Sequence, residues 1–275
     1  ATSWASPAFN DSAWRVVSVP HDYVVEGPVG TRGPDGYTRE IAWYRKNLVL
    51  PTYAPGSRVW LEFDGVYRAS RYWLNGQELG VHNSGYVPLR FDITALVKPG
   101  DNALAVRVDP RYAEGWWYDG GGIYRHVRLV ITAPLHVAPE GIFLTTTIPD
   151  AKDGIVAPAT LHIDATLRNE SADATEAEIV HEVLGPDQKL VQRSSERIRL
   201  GVGEMKQKVS LEIPSAMLWS CEHPVLYSVR TSIEVKGEVV DQVTNTFGFR
   251  SVAFDAERGF LLNGEPVKIK GTCNH

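Results

Sequence analysis

Cysteine is nearly absent from this chain: Cys221 and Cys273 are the only two in 275 residues. Two thiols make neither a disulfide framework nor a metal site. They also fall in segments read below as different structural units, so no bridge between them is expected. A basic excess is lacking as well. Lys and Arg number 28 against 33 Asp and Glu, giving a formal net charge of -5 and a pI of about 5.9. Nucleic-acid binding needs a concentrated basic surface, so that class is set aside. No apolar run approaches the ~18 residues of a membrane span. The 8 histidines never fall at metal-ligand spacing, and His-Glu-x-x-His does not occur. Phosphate-cradling and nucleophile-elbow glycine motifs are missing too. No metal and no cofactor is therefore expected. The chain starts Ala1-Thr2-Ser3-Trp4, without Met or a signal pattern, which reads as a trimmed or processed end and leaves the compartment open.

What remains is ordinary globular composition, 43% hydrophobic and 22% charged, in a chain long enough for two cored domains. The pattern is strand after strand. Val59, Leu61 and Phe63 alternate with Trp60, Glu62 and Asp64; Leu104, Val106 and Val108 alternate again, as do Val127 and Leu129. Tyr72 and Leu74 lead into Asn75-Gly76, the dipeptide that best tolerates the two positive φ values of a type I′ hairpin turn. Pro99-Gly100-Asp101-Asn102 marks another turn. Through the first ~130 residues no convincing 3.6-residue apolar repeat appears, so a sandwich or jelly roll is predicted.

A break falls near Ala133-Pro134. Beyond it the strands are cleaner: Leu161 to Leu167, Val209 to Ile213, and Tyr227 to Val235. About seven such strands in roughly 115 residues fit an immunoglobulin-like sandwich, without the Cys–Trp–Cys core of antibody domains. The end, Phe260-Leu261-Leu262, Asn263-Gly264, then Glu265 to Lys270, reads as a second hairpin. Its apolar residues need cover. The hairpin is expected to fold back on the second sandwich or to pair with another copy, so a homo-oligomer stays open.

Candidate chemistry gathers in two stretches. Trp116-Trp117-Tyr118-Asp119 places aromatic faces suited to stacking on sugar rings beside a carboxylate that can accept hydrogen bonds from ring hydroxyls. Pro20-His21-Asp22-Tyr23 opens a long loop rich in Gly and Pro. The plain structural alternatives are that the aromatics close the end of a core and that Asp22 caps a loop by accepting backbone N–H groups. Arg45, Arg68 and Arg125 each follow a Tyr and are read as stacking and ion-pairing within the sandwich. No spacing among the acids singles out a catalytic pair, since sequence separation cannot reveal the ~5 Å carboxylate gap of a retaining glycosidase.

At these residues the chain resembles a known family. Val19-Pro20-His21-Asp22-Tyr23, Trp43-Tyr44-Arg45-Lys46, Phe63-Asp64-Gly65-Val66, Trp73-Leu74-Asn75-Gly76 and Gly122-Ile123-Tyr124-Arg125 occur in the order of the sugar-binding domain of glycoside hydrolase family 2. That is the β-galactosidase and β-glucuronidase family. Leu218-Trp219-Ser220, Pro224-Val225-Leu226-Tyr227 and Phe247-Gly248-Phe249-Arg250 resemble its immunoglobulin-like second domain. Leu261 to Pro266 and Gly271 to His275 resemble the lead-in to its TIM barrel.

The resemblance implies an all-β chain: a jelly-roll sugar-binding sandwich over 1–134, an immunoglobulin-like sandwich over 135–250, and a terminal hairpin over 251–275 that begins a truncated barrel. It implies a β-linked sugar as substrate, with β-galactosidase preferred. The catalytic glutamates would lie on the missing barrel of the same chain, so this chain holds no catalytic residue. Asp22, Trp116, Trp117, Asp119, Asn274 and His275 would be its substrate-binding residues. Trp116 stands where some family β-galactosidases place an acidic sodium ligand, which counts against a sodium site. Two other classes compete: a free-standing carbohydrate-binding module with a spacer, and an adhesion protein of stacked sandwiches.

Overall fold

The computed structural model describes residues 2–26, 40–112, 119–149 and 156–273. Among these the regular structure is strand, apart from one 3-10 turn at Thr2–Ala5. The chain forms two compact units that divide between Ile131 and Thr132.

The first unit is built from β1 (Ala42–Val49), β2 (Arg58–Phe63), β3 (Ser70–Leu74), β4 (Gln77–His82), β5 (Leu89–Asp92), β6 (Asp101–Val108) and β7 (Val127–Thr132). A sheet in the order β1-β6-β3-β4 is matched by a second in the order β5-β2-β7. The alternation read from sequence decides which residues face the core. Val59, Leu61 and Phe63 are buried, and so are Leu104, Val106 and Val108. Tyr72, Leu74 and Ile93 complete that core. Fully burying a large apolar side chain contributes roughly 1.5–3 kcal/mol. The β3–β4 turn is Asn75-Gly76, with φ of 53° and 85°, both positive as type I′ requires. Asn102 pins the β6 turn from inside. Its Nδ2 donates to the carbonyls of Lys98 and Gly100, and its Oδ1 accepts from the Lys98 amide, so this fully buried amide is satisfied.

The second unit holds β8 (Leu135–Thr147), β9 (Val156–Asn169), β10 (Thr175–Leu184), β11 (Leu190–Leu200), β12 (Gly203–Met217), β13 (Tyr227–Val235) and β14 (Glu238–Phe247). Sheets β11-β10-β13-β14 and β12-β9-β8 enclose apolar cores around Leu161, Ile163, Val229 and Phe249, and around Leu167, Ile179 and Ile233. Pro139 and Gly141 sit where β8 slips register against β9, between Val137 and Ile142. A proline cannot donate to the ladder, so the bulge falls there. A buried polar chain reaches across this unit. His181 bonds Thr231 Oγ1 at 2.9 Å through Nδ1 and Gln207 Oε1 at 3.1 Å through Nε2, and Gln207 Nε2 donates to Glu196.

Three short strands follow in an antiparallel sheet: β15 (Val252–Asp255), β16 (Gly259–Leu262) and β17 (Glu265–Pro266). Asn263-Gly264 makes the expected turn, with φ of 53° and 82°. The returning strand is shorter than its alternation predicts. Instead of running to Lys270 it stops at Pro266, paired with Leu261 and Leu262, and a last bond from Val267 N to Phe260 O at 2.9 Å closes the ladder. The hairpin does fold back on its own unit. Asn263 Nδ2 donates to Trp219 O at 3.0 Å, and Leu261 and Leu262 are buried, whereas Ile269 is exposed. Neither cysteine is in a disulfide, and both lie on the surface.

Candidate functional site at the loop end of the first sandwich

The antiparallel register puts the start of β1 opposite the end of β6, Ala42 against Val108, and the start of β3 beside them, Arg71 against Arg107. The segments flanking those ends therefore share one end of the sandwich. The Pro20–Tyr23 stretch meets the Gly121–Ile123 segment there. His21 N donates to Ile123 O at 2.7 Å and Tyr23 N to Gly121 O at 3.0 Å. On its other side Gly122 exchanges two backbone hydrogen bonds with Tyr67, at 2.8 and 2.9 Å. The glycines are there because nothing larger fits. A Cβ on Gly122 would lie 2.5 Å from both His21 O and Tyr44 Oη, with φ at +131°, and one on Gly121 would lie 2.5 Å from Val24.

Asp22 stands at this seam. Its Oδ1 accepts from the amides of Val24, Val25 and Gly121 at 3.0, 3.3 and 3.1 Å. The loop-capping alternative thus describes Oδ1, which turns the chain locally and ties it to the glycine run. Asp119, two residues before Gly121, is only 7% exposed. Trp116, Trp117, Asn274 and His275 fall outside the described residues.

Around the seam the groups are strongly coupled. Tyr23 donates to Glu40 O, and burial, reinforced by Tyr44, Asp109 and Asp22, pushes its phenol well above the ordinary range. Burial raises Tyr44 likewise. Both stay neutral hydroxyls at any physiological pH. His21 bonds Tyr44 Oη at 2.8 Å through Nδ1 and Glu26 at 3.1 Å through Nε2. The same Nε2 lies 3.1 Å from Arg15 Nη2, so a donor guanidinium and an acceptor carboxylate meet at one ring nitrogen. Arg15, bonded to Glu26, holds that carboxyl below its usual value. A cleft of about 710 Å³ opens beside this group, lined in part by Trp14, Arg15, His21, Tyr23, Trp43 and Tyr44.

Sequence reading passed over Asp109. Its carboxylate takes Arg111 Nε at 2.7 Å and Arg107 at 2.8 Å, and its amide donates to Arg68 O. The Arg111 bond, then Arg107, hold its pKa down at about 2. The only sequence signal was an acid flanked by arginines two positions away on each side, at a strand end. The tyrosine-paired arginines behave as read. Arg45 pairs with Asp11 at 2.9 Å and lies over Phe9, while Arg68 and Arg125 lie over the rings of Tyr67 and Tyr124. Asn169, in a glycosylation triplet, is fully buried and bonded to Leu200 O.

Comparison with known proteins decides what this end belongs to. Residues 8–134 match the family model "Glycosyl hydrolases family 2, sugar binding domain", and residues 137–250 match "Glycosyl hydrolases family 2". The chain belongs to glycosyl hydrolase family 2. It is 36% identical to a protein named putative β-glucuronidase from Formosa agariphila, over 97% of this chain and 25% of that protein. It is 35% identical to a β-galactosidase of Bacteroides ovatus, over 98% of this chain and 32% of that protein. The crystal structure of a family 2 member from Bacteroides cellulosilyticus superposes with a TM-score of 0.91 at 30% identity, covering 99% of this chain and 36% of that one. The chain thus spans between a quarter and a third of the length of these two curated relatives.

Proposed function

We propose that residues 1–275 form the non-catalytic front of a retaining exo-β-glycosidase, whose acid/base and nucleophile lie beyond His275. The observation that carries this reading is the match of both family 2 models, in order, to a chain that spans only part of its relatives. Retaining hydrolysis needs two carboxyl groups flanking the scissile bond, one protonated and one ionised. In this chain two acids of the loop end have other tasks. Asp109 is neutralised by two arginines, and Asp22 Oδ1 is filled by three backbone amides.

In the parent protein this end narrows the mouth of the active site and presents Asp22 and the Trp116–Asp119 segment to the terminal sugar. Asn274 and His275 stand at the mouth of the first barrel strand. A neutral β-galactoside is the preferred substrate, because carboxylates accept from sugar hydroxyls, while Arg107 and Arg111 are committed to Asp109. A β-glucuronide is the second reading, supported by the name of the Formosa relative.

Nitrophenyl β-galactoside and β-glucuronide test both levels. The purified chain should turn over neither, and the full-length parent should prefer the galactoside. Turnover that co-elutes with the 275-residue chain would overturn the fragment reading. A parent preference for the glucuronide would replace only the substrate.

A further inference from the structure

In the second sandwich β8 ends one sheet and β14 ends the other. A groove of about 570 Å³ is lined from both strands and from the segments around Trp219, Leu226 and Arg250. That volume is ordinary for a small-molecule site. The lining holds one charged side chain, Arg250, and no carboxylate.

Arg250 is exposed and has no ion pair among the described residues. Its guanidinium lies over the Trp219 ring, 4.9 Å from the centroid. That platform is held from several directions. Trp219 N donates to Phe249 O at 2.8 Å, and Trp219 O accepts from Asn263 at 3.0 Å. Thr146 Oγ1 donates to Arg250 O at 2.9 Å. The indole also rests on Gly248, where an added Cβ would fall 2.8 Å from Trp219 Cβ. A planar cation laid on a fixed ring presents its fork of N–H donors with little entropy left to lose, which suits a carboxylate.

Asn245 lines the same groove, and its Oδ1 is buried with no hydrogen-bond partner among the described residues. Buried acceptors are rarely left so. A half-turn of the amide about χ2 brings Oδ1 round to a hydroxyl in the groove. Thr146 Oγ1, already donating, can still accept. Leu226 and Val252, 50% and 52% exposed, add apolar surface.

We propose that this groove binds a hexuronate: its carboxylate on Arg250, ring hydroxyls on Asn245 and Thr146, and a C–H face against Leu226 or Val252. Neighbouring chemistries fit less well. An amino acid would bring an ammonium group that no lining carboxylate receives. A fatty acid would leave the amide and the hydroxyl unmatched. A neutral hexose would leave Arg250 unused. The inference stands apart from the loop end of the first sandwich and from the choice between galactoside and glucuronide.

Sodium glucuronate, glucose and acetate titrated into the 275-residue chain, followed by proton–nitrogen correlation NMR, test it. Glucuronate should shift the Trp219 indole, the Asn245 side-chain amide and Gly248, saturating with a Kd of about 1–10 mM. Glucose and acetate should each bind at least tenfold more weakly. Arg250→Gln should weaken glucuronate at least tenfold in a chain that still melts cooperatively. Arg250→Lys, which keeps the charge and loses the fork, should fall between. No shift at about 50 mM glucuronate would overturn the proposal. So would equal binding of acetate, which marks a simple anion site, or equal binding of glucose, which leaves the charge without a role. Full glucuronate affinity in Arg250→Gln, or binding by the chain that the full-length parent lacks, would overturn it as well.

Discussion

The amide of Gly121 donates to Oδ1 of Asp22 at 3.1 Å, across 99 residues of sequence. That bond ties the Pro20–Tyr23 stretch to the glycine run, and it gives one side chain two separable tasks. Asp22→Asn keeps an Oδ1 acceptor and loses the charge. It should leave the melting temperature nearly unchanged and lower kcat/KM of the parent at least tenfold. Asp22→Ala removes the acceptor of three amides and should in addition cost about 1–3 kcal/mol of stability. Denaturant melts beside kinetics separate the tasks; an Asn variant with normal kinetics would leave Asp22 as a loop cap only.

Gly122 should tolerate no side chain. A Cβ there meets a backbone carbonyl and a tyrosine hydroxyl at 2.5 Å in a left-handed conformation. Gly122→Ala is expected to destabilise the first unit by roughly 3 kcal/mol or more. The early thermal transition of the chain should fall while the unit after Thr132 melts unchanged, and calorimetry with the two transitions resolved checks this.

His181 should make the second unit acid-sensitive. Gln207 donates to Glu196, so its Oε1 accepts the Nε2 proton of His181, and Thr231 Oγ1 donates to Nδ1. Burial opposes a second proton and lowers the folded pKa below 6.5. The folded state therefore binds that proton less readily than the unfolded chain. Stability should hold above pH ~6.5 and decline as pH falls toward the depressed folded value. An NMR titration of the His181 ring giving a midpoint at or above the ordinary value would refute this.

Asn263 should govern whether the terminal hairpin stays docked. It accepts from Ser251 N, donates to Trp219 O and holds φ at 53°. Asn263→Gly keeps the turn and loses both bonds; Asn263→Ala loses the bonds and strains the turn. Exchange over 252–262 should accelerate in both, more in Ala, by about 1–3 kcal/mol of local opening, without change in β9. Identical exchange in both variants and the parent sequence would show that Leu261 and Leu262 alone secure the hairpin.

What the sequence determined by itself is local. Period-two alternation chose the buried faces of β2, β6 and β9, and Asn-Gly at 75–76 and 263–264 closed two hairpins, because these signals act between neighbours. The Lys236-Gly237 turn, with φ of 55° and 83°, went unread because lysine carries no preference for that conformation; only the flanking strands impose it. Tertiary structure alone decided the rest. It set Asp22 on Gly121 and buried His181 beside Gln207. Those outcomes depend on which strand ends the sheet order brings together, and no residue spacing along the chain encodes a distance across a sandwich.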